Sequence, residues 1–179
     1  MALVHAILSA LTECPCSGYD LAKQFDGSLG FFWKASYQQI YRELTKLEDQ
    51  GWVSSEKVHQ KGRPDKKLYR VTEQGRNYLR EWIAQPGEVS PNKDELLVKL
   101  FVGYLVPKKT IVVELERNRS EHLEILSVYQ CKEQRYFQNP QELPLEDKFR
   151  YLTLRRSIHY ETDWLAWCEE ALHLLDVIE

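Results

Sequence analysis

Apolar side chains at Leu3, Ile7, Leu8 and Leu11 recur at helical spacing, so residues 2–12 predict a first helix that stops before Pro15. Ser17 then precedes Tyr19, Leu21, Ala22 and Phe25, the pattern of an N-cap and a short second helix ending near Gly27. After the aromatic run Gly30-Phe31-Phe32-Trp33, Ser36 is placed to cap a third helix. Its buried stripe is Ile40, Tyr41, Leu44 and Leu47, and Gly51 marks its end. The opposite face of this helix is polar, with Gln38, Gln39, Arg42, Thr45 and Lys46.

Beyond Gly51 the period changes from helical to extended. Trp52–Val58 reads as one strand and Lys67–Val71 as its partner, and the glycine and proline of Gln60-Lys61-Gly62-Arg63-Pro64-Asp65 punctuate a turn between them. The two strands predict a hairpin with a basic tip. Thr72 caps a fourth helix with Tyr78, Leu79, Trp82 and Ile83 on its apolar face, ending at Pro86.

Residues 86–93, with two prolines and a glycine, read as a linker between a first domain, 1–85, and a second, 94–179. The second domain predicts three helices: Asp94–Val106, Lys108–Phe137 and, after the break at Pro140 and Pro144, roughly Leu145–Val177. The last helix carries two apolar stripes. One contains Tyr151, Leu154, Ile158, Leu165, Cys168, Leu172 and Leu175; the other contains Tyr160, Trp164, Trp167, Ala171 and Leu174. Both follow a spacing near 3.5 residues, as in a coiled-coil pair. An apolar arc this wide favours self-association, with Leu154, Ile158, Leu165, Leu172 and Leu175 as the expected dimerisation positions. The alternative is that both stripes pack on the chain's own helices.

The expected fold is therefore mainly α with a small β-hairpin: an N-terminal winged helix-turn-helix followed by a C-terminal long-helix dimerisation domain. The composition, 43% hydrophobic and 28% charged over 179 residues, is that of a folded soluble protein. No apolar run approaches the ~20 residues that span a bilayer, and Met1 opens onto no basic segment, so neither a membrane nor secretion is expected. Cys14, Cys16, Cys131 and Cys168 form no CxxC pair, which argues against a zinc site and for the cytoplasm. Cys14-Pro15-Cys16 reads as a turn.

The net charge of −3 hides an asymmetry: residues 1–85 hold 12 Lys and Arg against 10 Asp and Glu, and residues 86–179 hold 12 against 17. Between Lys57 and Arg70 there are six basic residues (Lys57, Lys61, Arg63, Lys66, Lys67, Arg70) and one acid, Asp65. Three helices and a basic-tipped hairpin, in that order, make a winged helix-turn-helix, whose recognition helix enters the major groove while the wing reaches phosphates. Gln and Arg on the third helix suit adenine and guanine edges, and lysines in the hairpin suit counterion release from double-stranded DNA. No phosphate-cradling glycine loop, GxSxG or HExxH is present, so an enzyme is not expected. The competing reading is a winged-helix module that binds a protein partner, which has no need for six bases in a hairpin.

Several segments carry a family likeness. Ser36-Tyr37-Gln38-Gln39-Ile40-Tyr41-Arg42-Glu43-Leu44, Lys46-Leu47-Glu48, Gly51-Trp52-Val53, Gly62-Arg63-Pro64, Lys67-Leu68-Tyr69 and Thr72-Glu73-Gln74-Gly75 resemble the PadR family of transcriptional regulators, as does Ser17-Gly18-Tyr19-Asp20-Leu21. The likeness covers about residues 2–84, and the tail resembles the longer subgroup whose C-terminal helices dimerise. It implies a homodimer on a pseudo-palindromic operator, usually a repressor released by a small-molecule effector. Carried over by position, Ser36, Tyr37, Gln38, Gln39 and Arg42 are expected at the groove, with Lys46, Lys61, Arg63 and Lys66 on the DNA backbone. Tyr41 is expected to lie in the core rather than against DNA. Trp33, Trp164, Trp167, Phe101 and Tyr104 are candidates for an effector pocket, though such residues are more often core. Neither a cofactor nor a metal is expected, although His122 and His159 would approach each other if the long helices run antiparallel.

Overall fold

The computed structural model describes residues 2–26, 33, 35–59, 65–87 and 94–176. The chain divides into two units, Met1–Val89 and Ser90–Glu179. The first contains α1 (Ala2–Glu13), β1 (Cys16–Ser17), α2 (Gly18–Asp26), α3 (Tyr37–Asp49), β2 (Val53–Val58), β3 (Lys66–Val71) and α4 (Glu73–Ile83).

Local chemistry sets the ends of α3. Ser36, in extended backbone, accepts the Gln39 N–H on its hydroxyl while the Gln39 side-chain oxygen accepts the Ser36 N–H at 2.8 Å, a reciprocal capping box. At the other end Gly51 takes φ 72°, its N–H donates to the Glu48 carbonyl and the Trp52 N–H to the Leu47 carbonyl. This is a Schellman close, and it needs the positive φ that glycine adopts without strain. Thr72 caps α4 through the Gly75 N–H and also donates its hydroxyl to the Gly51 carbonyl at 2.7 Å, which ties the start of α4 to the end of α3.

The sheet has the antiparallel order β1-β3-β2, with Val53 opposite Val71 and Val58 opposite Lys66. Its third strand is the departure from the expected hairpin. Cys16, expected to lie in a turn, and Ser17, expected only to cap the second helix, pair with Tyr69 and Leu68. Ile7, Leu8, Leu11, Leu21, Ile40, Leu44, Leu47 and Val53 form the buried centre of this unit. His5 is buried beside it, stacked on Trp82 at 4.0 Å between ring centroids.

The second unit contains α5 (Glu95–Phe101), a 3-10 turn at Gly103–Leu105, α6 (Lys108–Tyr136), a second 3-10 turn at Pro140–Glu142 and α7 (Leu145–Asp176). The helix expected over 94–106 is thus shorter, capped by Asp94 and replaced by a tighter turn from Gly103. α6 and α7 run antiparallel: the Cys168 thiol meets the Leu115 carbonyl, His122 meets Glu161, and Arg155 meets Glu133.

The apolar stripes of α7 are distributed differently from the sequence expectation. Ile158 is buried, and Leu172 and Leu175 pack, with Trp164, Trp167 and Ala171, on a cluster of Leu96, Ile111, Leu115 and Cys168. Three of the five expected dimerisation positions therefore serve the unit's own core, because α5 and α6 cover that side of α7. Leu154 and Leu165 are half-buried. The apolar side chains left on the surface of α7 are others, including Leu145, Phe149, Leu152 and Leu174.

Candidate nucleic-acid interface

The capping box begins α3 at Tyr37, and Ile40, Leu44 and Leu47 then face the core at helical spacing. This fixes the opposite side outward. Ser36, Tyr37, Gln38, Gln39, Arg42, Thr45 and Lys46 are all exposed on it. Tyr41 joins them: it is 44% exposed, not buried as its spacing with Leu44 had implied. Its ring packs against Gly18 of α2, where a Cβ would stand 2.6 Å from Tyr41 Cε1.

The polar groups on this face differ in how free they are. Gln39 spends its oxygen on the Ser36 N–H and keeps its amide N–H2 as a donor. Lys46 donates to Glu43 at 2.8 Å. Arg42, whose side chain is 68% exposed, stands 3.8 Å from Glu43, too far for a hydrogen bond, and retains its planar donor fork.

Sequence reasoning missed part of this surface. Tyr19, expected on the apolar face of the second helix, is 52% exposed, with its ring 6.3 Å from that of Tyr37. Lys23, one turn on, lies over the Tyr19 ring at 4.8 Å. The available signal was that Tyr19 and Lys23 share a side of the helix opposite Phe25.

The hairpin is held from both sides. Lys66 donates to Asp20 at 2.6 Å, and Lys67 donates to Glu48 at 2.7 Å. Ser55 also donates to Glu48. The Lys66 ammonium, followed by the Ser17 hydroxyl, holds the Asp20 carboxyl below the usual carboxylate range, and Lys67, followed by Ser55, does the same to Glu48. Arg70 pairs with Glu56 at 3.0 Å. Lys66 was expected on the DNA backbone, and the structure gives it an intramolecular partner. Lys61, Arg63 and the Gly62-Arg63-Pro64 tip lie outside the described residues.

This arrangement has known counterparts. Residues 7–81 match the Transcriptional regulator PadR-like family and residues 92–176 match the Virulence activator alpha C-term family. The chain is 37% identical to the probable transcriptional regulator Rv1176c of Mycobacterium tuberculosis, over 98% of each chain. It belongs to the PadR-like transcriptional regulators.

Solved PadR-like structures share its architecture. The crystal structure of Bacillus subtilis PadR in complex with operator DNA matches with a TM-score of 0.83 at 27% identity, covering 98% of this chain and 99% of that one. The Vibrio cholerae virulence activator AphA matches with a TM-score of 0.78 at 33% identity, over 99% of each. These relatives are regulators, not enzymes, and the winged helix expected from the sequence is the fold observed.

In this PadR-like chain the aromatic residues considered for an effector pocket have separate surroundings. Trp33 packs on the core of the first unit. In the second unit Trp164 stacks on His122 at 3.8 Å and meets Trp167 edge-on at 5.6 Å, while Phe101 is 85% exposed and Tyr104 nearly as much. His122 pairs with buried Glu161 rather than with His159, which lies against Arg155. Among the described residues no cluster of His, Cys, Asp and Glu could hold a metal, and no helix is long and apolar enough to cross a membrane.

Proposed function

We infer that this PadR-like regulator is a cytoplasmic repressor that binds a pseudo-palindromic operator as a homodimer and is released by a small-molecule effector. The observation that carries the reading is the outward face of α3. Its capped start and buried stripe leave Ser36, Tyr37, Gln38, Gln39 and Arg42 together on one exposed surface, with donors that suit base edges in a major groove. Lys46, Lys61 and Arg63 are assigned to the DNA backbone, whereas Lys66 is engaged by Asp20 and is not assigned to phosphate. The similar Bacillus subtilis protein is named a negative transcriptional regulator, and its structures include complexes with operator DNA and with p-coumaric acid.

Dimerisation is assigned to the second unit, through the exposed apolar side chains of α7 (Leu145, Phe149, Leu152) together with half-buried Leu154 and Leu165. Burying them against a second copy gains about 25 cal/mol per Å² of apolar area. An operator for such a dimer has half-sites centred about 34 Å apart or a multiple of that.

The test is selection of bound duplexes from a random library at about 150 mM salt, a level that suppresses weak phosphate-only binding. A two-fold-symmetric enriched site supports the reading, and a reporter carrying that site gives the sign of regulation. No enrichment from a folded chain overturns it in favour of a winged helix that binds a protein partner.

A further inference from the structure

Lys66 and Lys67 are consecutive residues of β3, so their side chains leave opposite faces of the strand. Each is met by a carboxylate from a different helix. Asp20 comes from the first turn of α2 and Glu48 from the last turn of α3. The strand that carries one side of the hairpin is therefore clamped between the two helices of the helix-turn-helix.

The Asp20 clamp is the more fully built. Its carboxylate accepts the Ser17 hydroxyl at 2.8 Å as well as Lys66, and its own N–H donates to Ser17 Oγ at 3.1 Å. Ser17 is in β1, which pairs with β3 over only two residues, Cys16 with Tyr69 and Ser17 with Leu68. So short a ladder fixes the strand weakly, and the ion pair two residues further along β3 extends the attachment. Charge-assisted hydrogen bonds of this length are the stronger and more directional kind. Gly18, between the two anchoring residues, packs under Tyr41 of α3, so the same turn touches the recognition helix and the hairpin.

We propose that Asp20 is a positioning residue: by holding Lys66 it sets where the β2–β3 hairpin meets DNA relative to the outward face of α3. This rests on the DNA reading above. It assigns a use to an acid that, by charge alone, opposes DNA binding. It also explains why Lys66, in the most basic stretch of the chain, is already paired with a carboxylate of the same chain.

The two readings of Asp20 predict opposite signs. Binding is measured with the full chain by fluorescence anisotropy, using the duplex enriched by the wild type and a scrambled duplex of equal length, over a range of salt. For Asp20→Asn, positioning predicts roughly threefold weaker binding to the selected duplex with unchanged or tighter binding to the scrambled one, the scale of a lost surface ion pair. Lys66→Met should show the same loss, the double variant should be no worse than either single one, and Asp20→Glu should recover most of the affinity. A helical circular dichroism spectrum matching wild type checks that each variant folds.

The proposal is overturned if Asp20→Asn tightens binding to both duplexes equally and steepens the salt slope by about one, as a freed Lys66 on phosphate would do. It is also overturned if neither affinity changes. A wild type that enriches no duplex overturns the DNA reading itself, and the proposal with it.

Discussion

Gly18 at the start of α2 carries the ring of Tyr41 from α3, so closely that a Cβ at position 18 would stand 2.6 Å from Cε1 and 2.8 Å from Cζ. The ring is the far end of a side chain and can swing aside. Gly18→Ala should therefore fold with little loss of stability while displacing Tyr41 from the exposed surface it shares with Tyr37. The expected result is weaker binding to the selected operator at a nearly unchanged melting temperature. Gly75→Ala is the contrasting case, since its Cβ would meet the Trp52 backbone carbonyl at 2.2 Å. Backbone cannot give way so cheaply, and overpacking of this kind costs about 1–3 kcal/mol, seen as a lower melting temperature.

Arg42 is the open guanidinium of the α3 face, and Arg42→Ala should weaken binding to the selected site by about 1–3 kcal/mol if it reads a base. Binding to scrambled DNA should change much less. Lys61→Ala and Arg63→Ala should instead weaken all sequences alike and flatten the salt slope by about one each. Equal slopes in wild type and these variants would remove the hairpin lysine and arginine from phosphate contact.

The dimer prediction follows the exposed side of α7. Leu145, Phe149 and Leu152 are exposed at i, i+4 and i+7, which places them on one side of the helix. Phe149→Glu combined with Leu152→Glu should reduce the sedimenting species from twice 21.2 kDa to 21.2 kDa. Leu172→Glu should act differently. Leu172 packs on the Leu96, Ile111, Leu115 and Cys168 cluster, so its replacement should lower the melting temperature of the unit itself. An unchanged mass in the double variant would mean that this part of α7 is not the interface.

The carboxylate clamps give a pH dependence with a definite sign. Asp20 and Glu48 are held below their ordinary values of 3.8 and 4.5 by Lys66 and Lys67. A depressed native value means that the folded state binds the proton less readily than the unfolded one. The stabilisation is thus complete above pH 4.5 and is lost as pH falls from there through the lowered native values. Both groups are near the surface, so solvent screening keeps each contribution below about 1 kcal/mol. Asp20→Asn and Glu48→Gln should flatten the decline of melting temperature below pH 4.5, and parallel curves would show that the clamps do not contribute.

Much of the first unit was legible because its signals are local. Ser36 and Thr72 mark helix starts, Gly51 marks a helix end, and the change of period after Gly51 marks the hairpin; all act through the backbone of neighbouring residues. β1 was not legible, since two residues carry no period and Cys16 and Ser17 become a strand only through β3. The state of the lysines was hidden for a similar reason. Lys66 and Asp20 are 46 positions apart in numbering, and charge counting sees the lysine without its partner. Spacing placed Tyr41 with Leu44 and grouped Ile158 with Leu172, but it states only which residues share a side. Whether that side meets solvent, the same chain or a second copy is decided by packing. Tyr41 proved exposed, and Ile158 and Leu172 proved internal.

A sequence-reading role for the outward face of α3 is tested by repeating the random-library selection with Arg42→Ala beside the wild type. If Arg42 reads a base, the wild type enriches a two-fold-symmetric site and the variant shows relaxed preference at one position in each half-site with the other positions kept. The same enriched site with undiminished preference at every position would contradict it.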